Sequence, residues 1–95
     1  MSSSPSTVQE AITDLPAPDV LARAKTFFSS RPSLYSTFLD KEGPGFCSFR
    51  GQGGEEVIVA AAPAPEGGTR VTGSTYLFDM QLARFFTTLP PAAQR

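Results

Sequence analysis

Val20, Leu21, Ala24, Phe27 and Phe28 recur at i, i+1, i+4, i+7 and i+8, the spacing of one helical face. They predict a helix that starts at Pro18 or Asp19 and ends at Ser29. Pro at a first helical position needs no amide donor, and Asp19 suits the positive helix start. Pro32 disfavours the α conformation at Arg31 and stops the helix. Four strand candidates follow, over residues 33–40, 46–50, 55–62 and 69–76. In the first, Leu34 and Phe38 share one face, and Tyr35, Thr37 and Leu39 share the other. In the second, Phe46, Ser48 and Arg50 lie opposite Cys47 and Phe49. The third is a β-branched core followed by alanines. The fourth sets Val71 with Thr69, Gly73 and Thr75, opposite Arg70, Thr72, Ser74 and Tyr76. Turn signals separate the strands at Gly43-Pro44-Gly45, at Gly51 to Gly54 and at Pro63 to Gly68. Such short loops imply an antiparallel meander. Phe78, Leu82, Phe85, Phe86 and Leu89 then predict a second helix over 77–89, closed by Pro90-Pro91. The expected fold class is α+β, a two-layer sandwich in the order α-β-β-β-β-α, with both helices on one face of a four-stranded antiparallel meander.

The first 18 residues differ in character. Met1 to Ser6 is mostly serine, with too little apolar content to fold alone. Thr7 and Glu10 match a T-x-x-E capping box before a single helical turn, whose face would carry Val8, Ala11 and Ile12. Leu15-Pro16-Ala17-Pro18 reads as extended. The expected organisation is an extended arm or tail over 1–18, a single domain over 19–90 and a frayed end over 91–95. The arm is either free or docks on a partner through Val8, Ile12 and Leu15.

Composition narrows the chemistry. The chain has 95 residues, 8 Lys+Arg against 9 Asp+Glu, and a net charge of -1, so no basic excess recruits nucleic acid. Histidine is absent, which removes Ser-His-Asp and Cys-His catalysis and most zinc sites. One cysteine cannot close an internal disulfide, and no metal or cofactor motif stands in its place. No apolar stretch approaches the length of a membrane span, and no basic-then-apolar leader opens the chain. The expected location is therefore cytoplasmic, with any membrane association routed through a protein partner. Abundant Ala and Pro, Arg in excess of Lys and the lack of Asn suggest a GC-rich bacterial genome.

Individual candidates reduce mainly to structural roles. Gly51-Gln52-Gly53-Gly54 fails as a dinucleotide fingerprint because Glu56 stands at the last glycine position, and as a P-loop because no Gly-Lys-Ser/Thr follows. It reads as a turn. Glu55 and Glu56 point to opposite faces of a strand and cannot act as an acid/base pair. One of them is expected in solvent near Arg50 or Arg70. Cys47 has no histidine to activate it and reads as a packed thiol. Ser36, Ser48, Thr72, Ser74 and Tyr76 either line an apolar pocket or sit on an open, solvated sheet face. The pairs Phe27-Phe28 and Phe85-Phe86 each send one ring into the core, and the second ring of each remains available for contact.

The run Gly68-Thr69-Arg70-Val71-Thr72, continuing through Tyr76 into the helix of Leu82, Phe85 and Phe86, resembles the end of a helix-grip domain. That fold is shared by plant pollen allergens, lipid-transfer START domains and polyketide cyclases. The resemblance covers roughly residues 33–89 and rests on element order. It implies a curved antiparallel sheet around the last helix and an enclosed apolar ligand, and it assigns no role to a particular residue.

Two functions are therefore expected as alternatives. The first is a small non-enzymatic accessory or assembly subunit, docking on a larger protein complex or forming a homo-oligomer. Its contact residues would be Val8, Ile12, Leu15, Phe28 and Phe86. The second is a miniature pocket protein for an apolar small molecule. Neither uses a catalytic residue, a metal or a cofactor.

Overall fold

The computed structural model describes residues 7–29, 37–51, 53–65 and 67–91, with backbone only for Thr7 and Thr37. Leu34, Tyr35 and Ser36, the Ser-rich start and residues 92–95 lie outside these. Seven elements follow in order: β1 Thr7–Thr13, α1 Ala17–Ser29, β2 Thr37–Gly43, β3 Phe46–Gly51, β4 Glu56–Pro63, β5 Thr69–Tyr76 and α2 Asp79–Thr87. The strands form one antiparallel sheet in the order β1-β5-β4-β3-β2. The α+β class and the antiparallel meander of the four later strands hold. The sheet has five strands rather than four.

The extra strand replaces the helical turn expected after Thr7. Its sequence, TVQEAIT, does not alternate in polarity but is rich in β-branched residues. A capping box offers at most one isolated turn, and helix nucleation is unfavourable. Pairing with β5 instead gives seven consecutive partners, from Thr7 opposite Thr75 to Thr13 opposite Thr69. The expected arm is thus an edge strand through residue 13, and its last residues, Ala17 and Pro18, already belong to α1.

Strand alternation separates two faces. Cys47 and Phe49, Val57, Val59 and Ala61, and Thr69, Val71, Gly73 and Thr75 are buried on the inner face. Val20, Leu21, Ala24 and Phe28 of α1 and Leu82 and Phe85 of α2 cover them, forming one core with Phe78 and Leu89. Phe28 lies 5.2 Å from Phe49 and 5.5 Å from Phe85 between ring centroids, so aromatic contacts join both helices to the sheet. Phe27 and Phe86 pack edge-on against Phe85 at 5.6 and 5.9 Å.

Two glycine-type positions fix how α2 sits. At Gly73 an added Cβ would lie 2.7 Å from Leu82 Cδ1 and 2.8 Å from Phe86 Cε1, so α2 rests directly on the β5 backbone. Between β5 and α2, Leu77 takes φ +80°, a region that side chains disfavour. This reversal delays the helix from the expected Leu77 to Asp79. The Phe78 amide donates to Thr75 Oγ1 at 3.2 Å, and the Leu82 amide donates to the Phe78 carbonyl at 2.9 Å.

Two outcomes follow for chemical denaturation. Gly73→Val is expected to destabilise the fold by about 1–3 kcal/mol through overpacking. Leu77→Gly is expected to stabilise it by about 0.5–1 kcal/mol, since relief of the left-handed backbone exceeds the added chain entropy. A neutral Gly73→Val would show that α2 does not rest on β5.

Candidate functional site

The outer face of the sheet, opposite both helices, carries Val8, Ile12, Phe38, Phe46 and Tyr76 among the exposed large apolar side chains; Leu39, Leu77 and Met80 are exposed elsewhere. Cross-strand register sets Val8, Ser74, Ile58, Ser48 and Lys41 in one row, and Glu10, Thr72, Ala60, Phe46 and Gly43 in the next. Tyr76, Glu56, Arg50 and Phe38 form a third row, and Ile12, Arg70 and Ala62 a fourth. Val8 is 65% exposed and Phe38 53%, while Ile12, Phe46 and Tyr76 lie just above one third. The Phe46 ring crosses Gly43, where a Cβ would stand 2.5 Å from its Cε1. Ser48, only 4% exposed, fills the gap between Phe46 and Arg50 on its own strand. The surface is mixed, with apolar side chains divided by two ion pairs: Arg70 to Glu10 at 2.9 Å and Arg50 to Asp40 at 3.3 Å. Both are substantially exposed and contribute little to stability.

One of the adjacent carboxylates is expected near Arg50 or Arg70, and Glu56 faces Arg50 across the strands. The Arg50 guanidinium bonds Asp40 across β2, and Arg70 bonds Glu10 across β1. Glu55 instead accepts a hydrogen bond from the Gly53 amide at 2.9 Å and closes its own turn. This matches the turn reading of the glycine cluster.

The residues singled out for partner contact divide. Val8 and Ile12 are exposed on the outer face, at the β1 edge. Leu15 is half-buried against the core. Phe28 is 3% exposed and Phe86 is partly buried against the core. Phe28 therefore offers no side chain to a partner, because the aromatic cluster needs it for filling. Phe38, Phe46 and Tyr76 belong with Val8 and Ile12, and sequence reasoning did not select them. The alternating pattern already placed Phe46 and Tyr76 opposite the core residues; that signal was available.

A ligand pocket between the sheet and α2 would occupy space that Leu82, Phe85 and Phe86 fill. A separate open groove of ≈ 400 Å³ runs along α1, lined by Leu15, Asp19, Ala22, Arg23 and Thr26. Arg23 spans its edge, donating to the Thr88 carbonyl at 3.1 Å. Among the described residues no group of three or more His, Cys, Asp or Glu is placed to hold a metal ion, and no helix is long and apolar enough to cross a membrane.

Cys47 is fully buried on the inner face, opposite Glu42. Lys25 of α1 bridges to Glu42 at 2.5 Å, and that partner raises the lysine's pKa. Burial pushes the Cys47 thiol up to about 11, an effect that outweighs the nearby Lys25 charge. A protonated, enclosed thiol is a poor nucleophile. No family model, curated protein or solved structure matches the chain.

The native protein is expected to resist iodoacetamide near pH 8, with alkylation at the unfolded rate once denaturant is added. Stability is expected to fall from about pH 9 towards 11. The unfolded thiol ionises near its ordinary 9.0, while the folded one keeps its proton to about 11. Fast native alkylation, read by intact mass, would overturn the enclosed-thiol reading.

Proposed function

We propose that this chain is a non-enzymatic docking module whose contact surface is the outer sheet face together with the β1 edge. The observation that carries this reading is the one-sided coverage of the sheet. Both helices lie on the inner face, and Val8, Ile12, Phe38, Phe46 and Tyr76 stand exposed on the other. Antiparallel sheets tolerate a solvated face, but polar residues ordinarily occupy it. Here five large apolar side chains share the face with charged ones, and Arg70 and Arg50 are held by Glu10 and Asp40. Covering such a patch removes apolar area from water at roughly 25 cal/mol per Å². The few large anchors would carry most of the binding energy.

A lack of assembled chemistry supports the same reading. The only thiol is buried and protonated, histidine is absent, and the adjacent carboxylates diverge. The reading fits an accessory or assembly subunit of a larger protein complex, as the composition suggested.

The test is gentle isolation of the full chain at native abundance, beside Phe38→Lys and Phe46→Lys. Both positions are exposed, so folding stability is expected to change by no more than about 0.5 kcal/mol. Wild type is expected to retain a protein at fixed stoichiometry, and both variants to lose it. A wild type that emerges free, or variants that keep the same companion, would remove this function.

A further inference from the structure

The sheet has two edges, β1 and β2, and they are built differently. In β2 the register breaks between Leu39 and Lys41, and Asp40, Lys41 and Glu42 follow in succession. Breaks and charges of this kind keep other strands away from an edge. β1 has no register break and one charge, Glu10, already held by Arg70. Its register with β5 is continuous over seven residues, without proline or lysine. Among the described residues, only its last residue is covered. Thr13 bridges to Pro91, and its Oγ1 donates to the Pro90 carbonyl at 2.6 Å. The free edge runs from Val8 to Ile12, and both end residues are exposed and β-branched.

We infer that β1 pairs antiparallel with β1 of a second copy of this chain, about a two-fold axis through Glu10, joining two five-stranded sheets into one. The inference rests on the reading of this surface as a docking site and names its partner. Opposed residues in an antiparallel pair share a face. About Glu10, Val8 meets Ile12 of the second copy on the outer face, and Gln9 meets Ala11 on the inner one. A one-residue slip would set outer side chains against inner ones. A two-residue slip one way sets Val8 against Glu10. The other way drives the incoming strand onto Thr13, where Pro91 already lies. The free window is therefore self-complementary in one register. The two Glu10 carboxylates face each other across the axis, each already held by its own Arg70 at 2.9 Å. The axis gathers two acids and two bases, which offsets the like-charge contact.

The chain beyond Pro91 is the competing occupant. Continued along β1 in the same sense, it would set Ala92 beside Ile12 and Gln94 beside Glu10. That register sets alanine against Ile12, whereas a second copy sets Val8 there.

Sedimentation equilibrium and directed cross-linking of the full chain test the pairing. Residues opposite across an antiparallel pair have Cα atoms roughly 4.5–5.5 Å apart, within disulfide reach. Glu10→Cys is expected to form an intermolecular disulfide at least about tenfold faster than Val8→Cys, which is itself exposed but faces Ile12. Val8→Lys is expected to return the protein to a monomer with an unchanged circular dichroism spectrum. A dimer in which Glu10→Cys cross-links no faster than Val8→Cys would overturn the inference, as would a wild type that stays monomeric to about 1 mM. A monomer with the amides of residues 9–12 protected from hydrogen exchange would overturn it in favour of the chain's own C-terminal residues. None of these failures touches the docking function, which is read separately at Phe38 and Phe46.

Discussion

The pairing of β5 with β1 on one flank and β4 on the other organises the rest of the molecule. Without β1, the meander of β2 to β5 would end at an exposed strand beneath α2. With it, β5 becomes an interior strand, and Gly73 can accept Leu82 and Phe86 directly on its backbone. The closure joins residues some 60 positions apart, so it forms only after the intervening chain has folded back. Thr13 ties the same corner a second time. Its hydroxyl donates to Pro90, across a sequence separation of 77, and accepts the Leu15 amide at 3.3 Å. One buried hydroxyl thereby links the end of β1, the entry to α1 and the exit from α2.

That closure also decides where surface remains. The helices have one face to cover, and the phenylalanines go to that work: Phe28, Phe49 and Phe85 are buried together, with Phe27 and Phe86 against them. A chain of this size buries only about 60% of its unfolded surface. Phe28, Phe49 and Phe85 could not turn to a partner on the helical side without hollowing the core. Strand alternation directs Val8, Ile12, Phe38, Phe46 and Tyr76 away from the helices, and they remain exposed. The candidate surface is thus a product of the packing economy, set on the side where no element remains to cover it.

The same geometry sets the state of the titratable side chains it holds. Cys47 faces the core, where burial holds its proton, and Lys25 and Glu42 satisfy each other above it. The acids and bases on the outer face neutralise one another across β1–β5 and β2–β3. Under the docking proposal, such a surface would recognise a partner by shape, apolar area and backbone pairing.

Local sequence determined most of the elements. Spacings of 3.6 and 2 placed α1, β3, β4 and β5 within a residue or two, and the alternation in β5 separated Val71 and Gly73 from Arg70 and Thr72 as the fold does. Absence of histidine and balance of charge are composition and needed no structure. Three features were decided only in three dimensions. A capping box at Thr7 and Glu10 promised a helical turn, but a partner strand 60 residues away offered more hydrogen bonds. Phe28 and its neighbours seemed equally able to face in or out, because helical periodicity gives a direction and not the volume waiting there. The contact surface itself depends on which face of the sheet both helices chose, and that choice follows from long-range pairing that no short window of sequence contains.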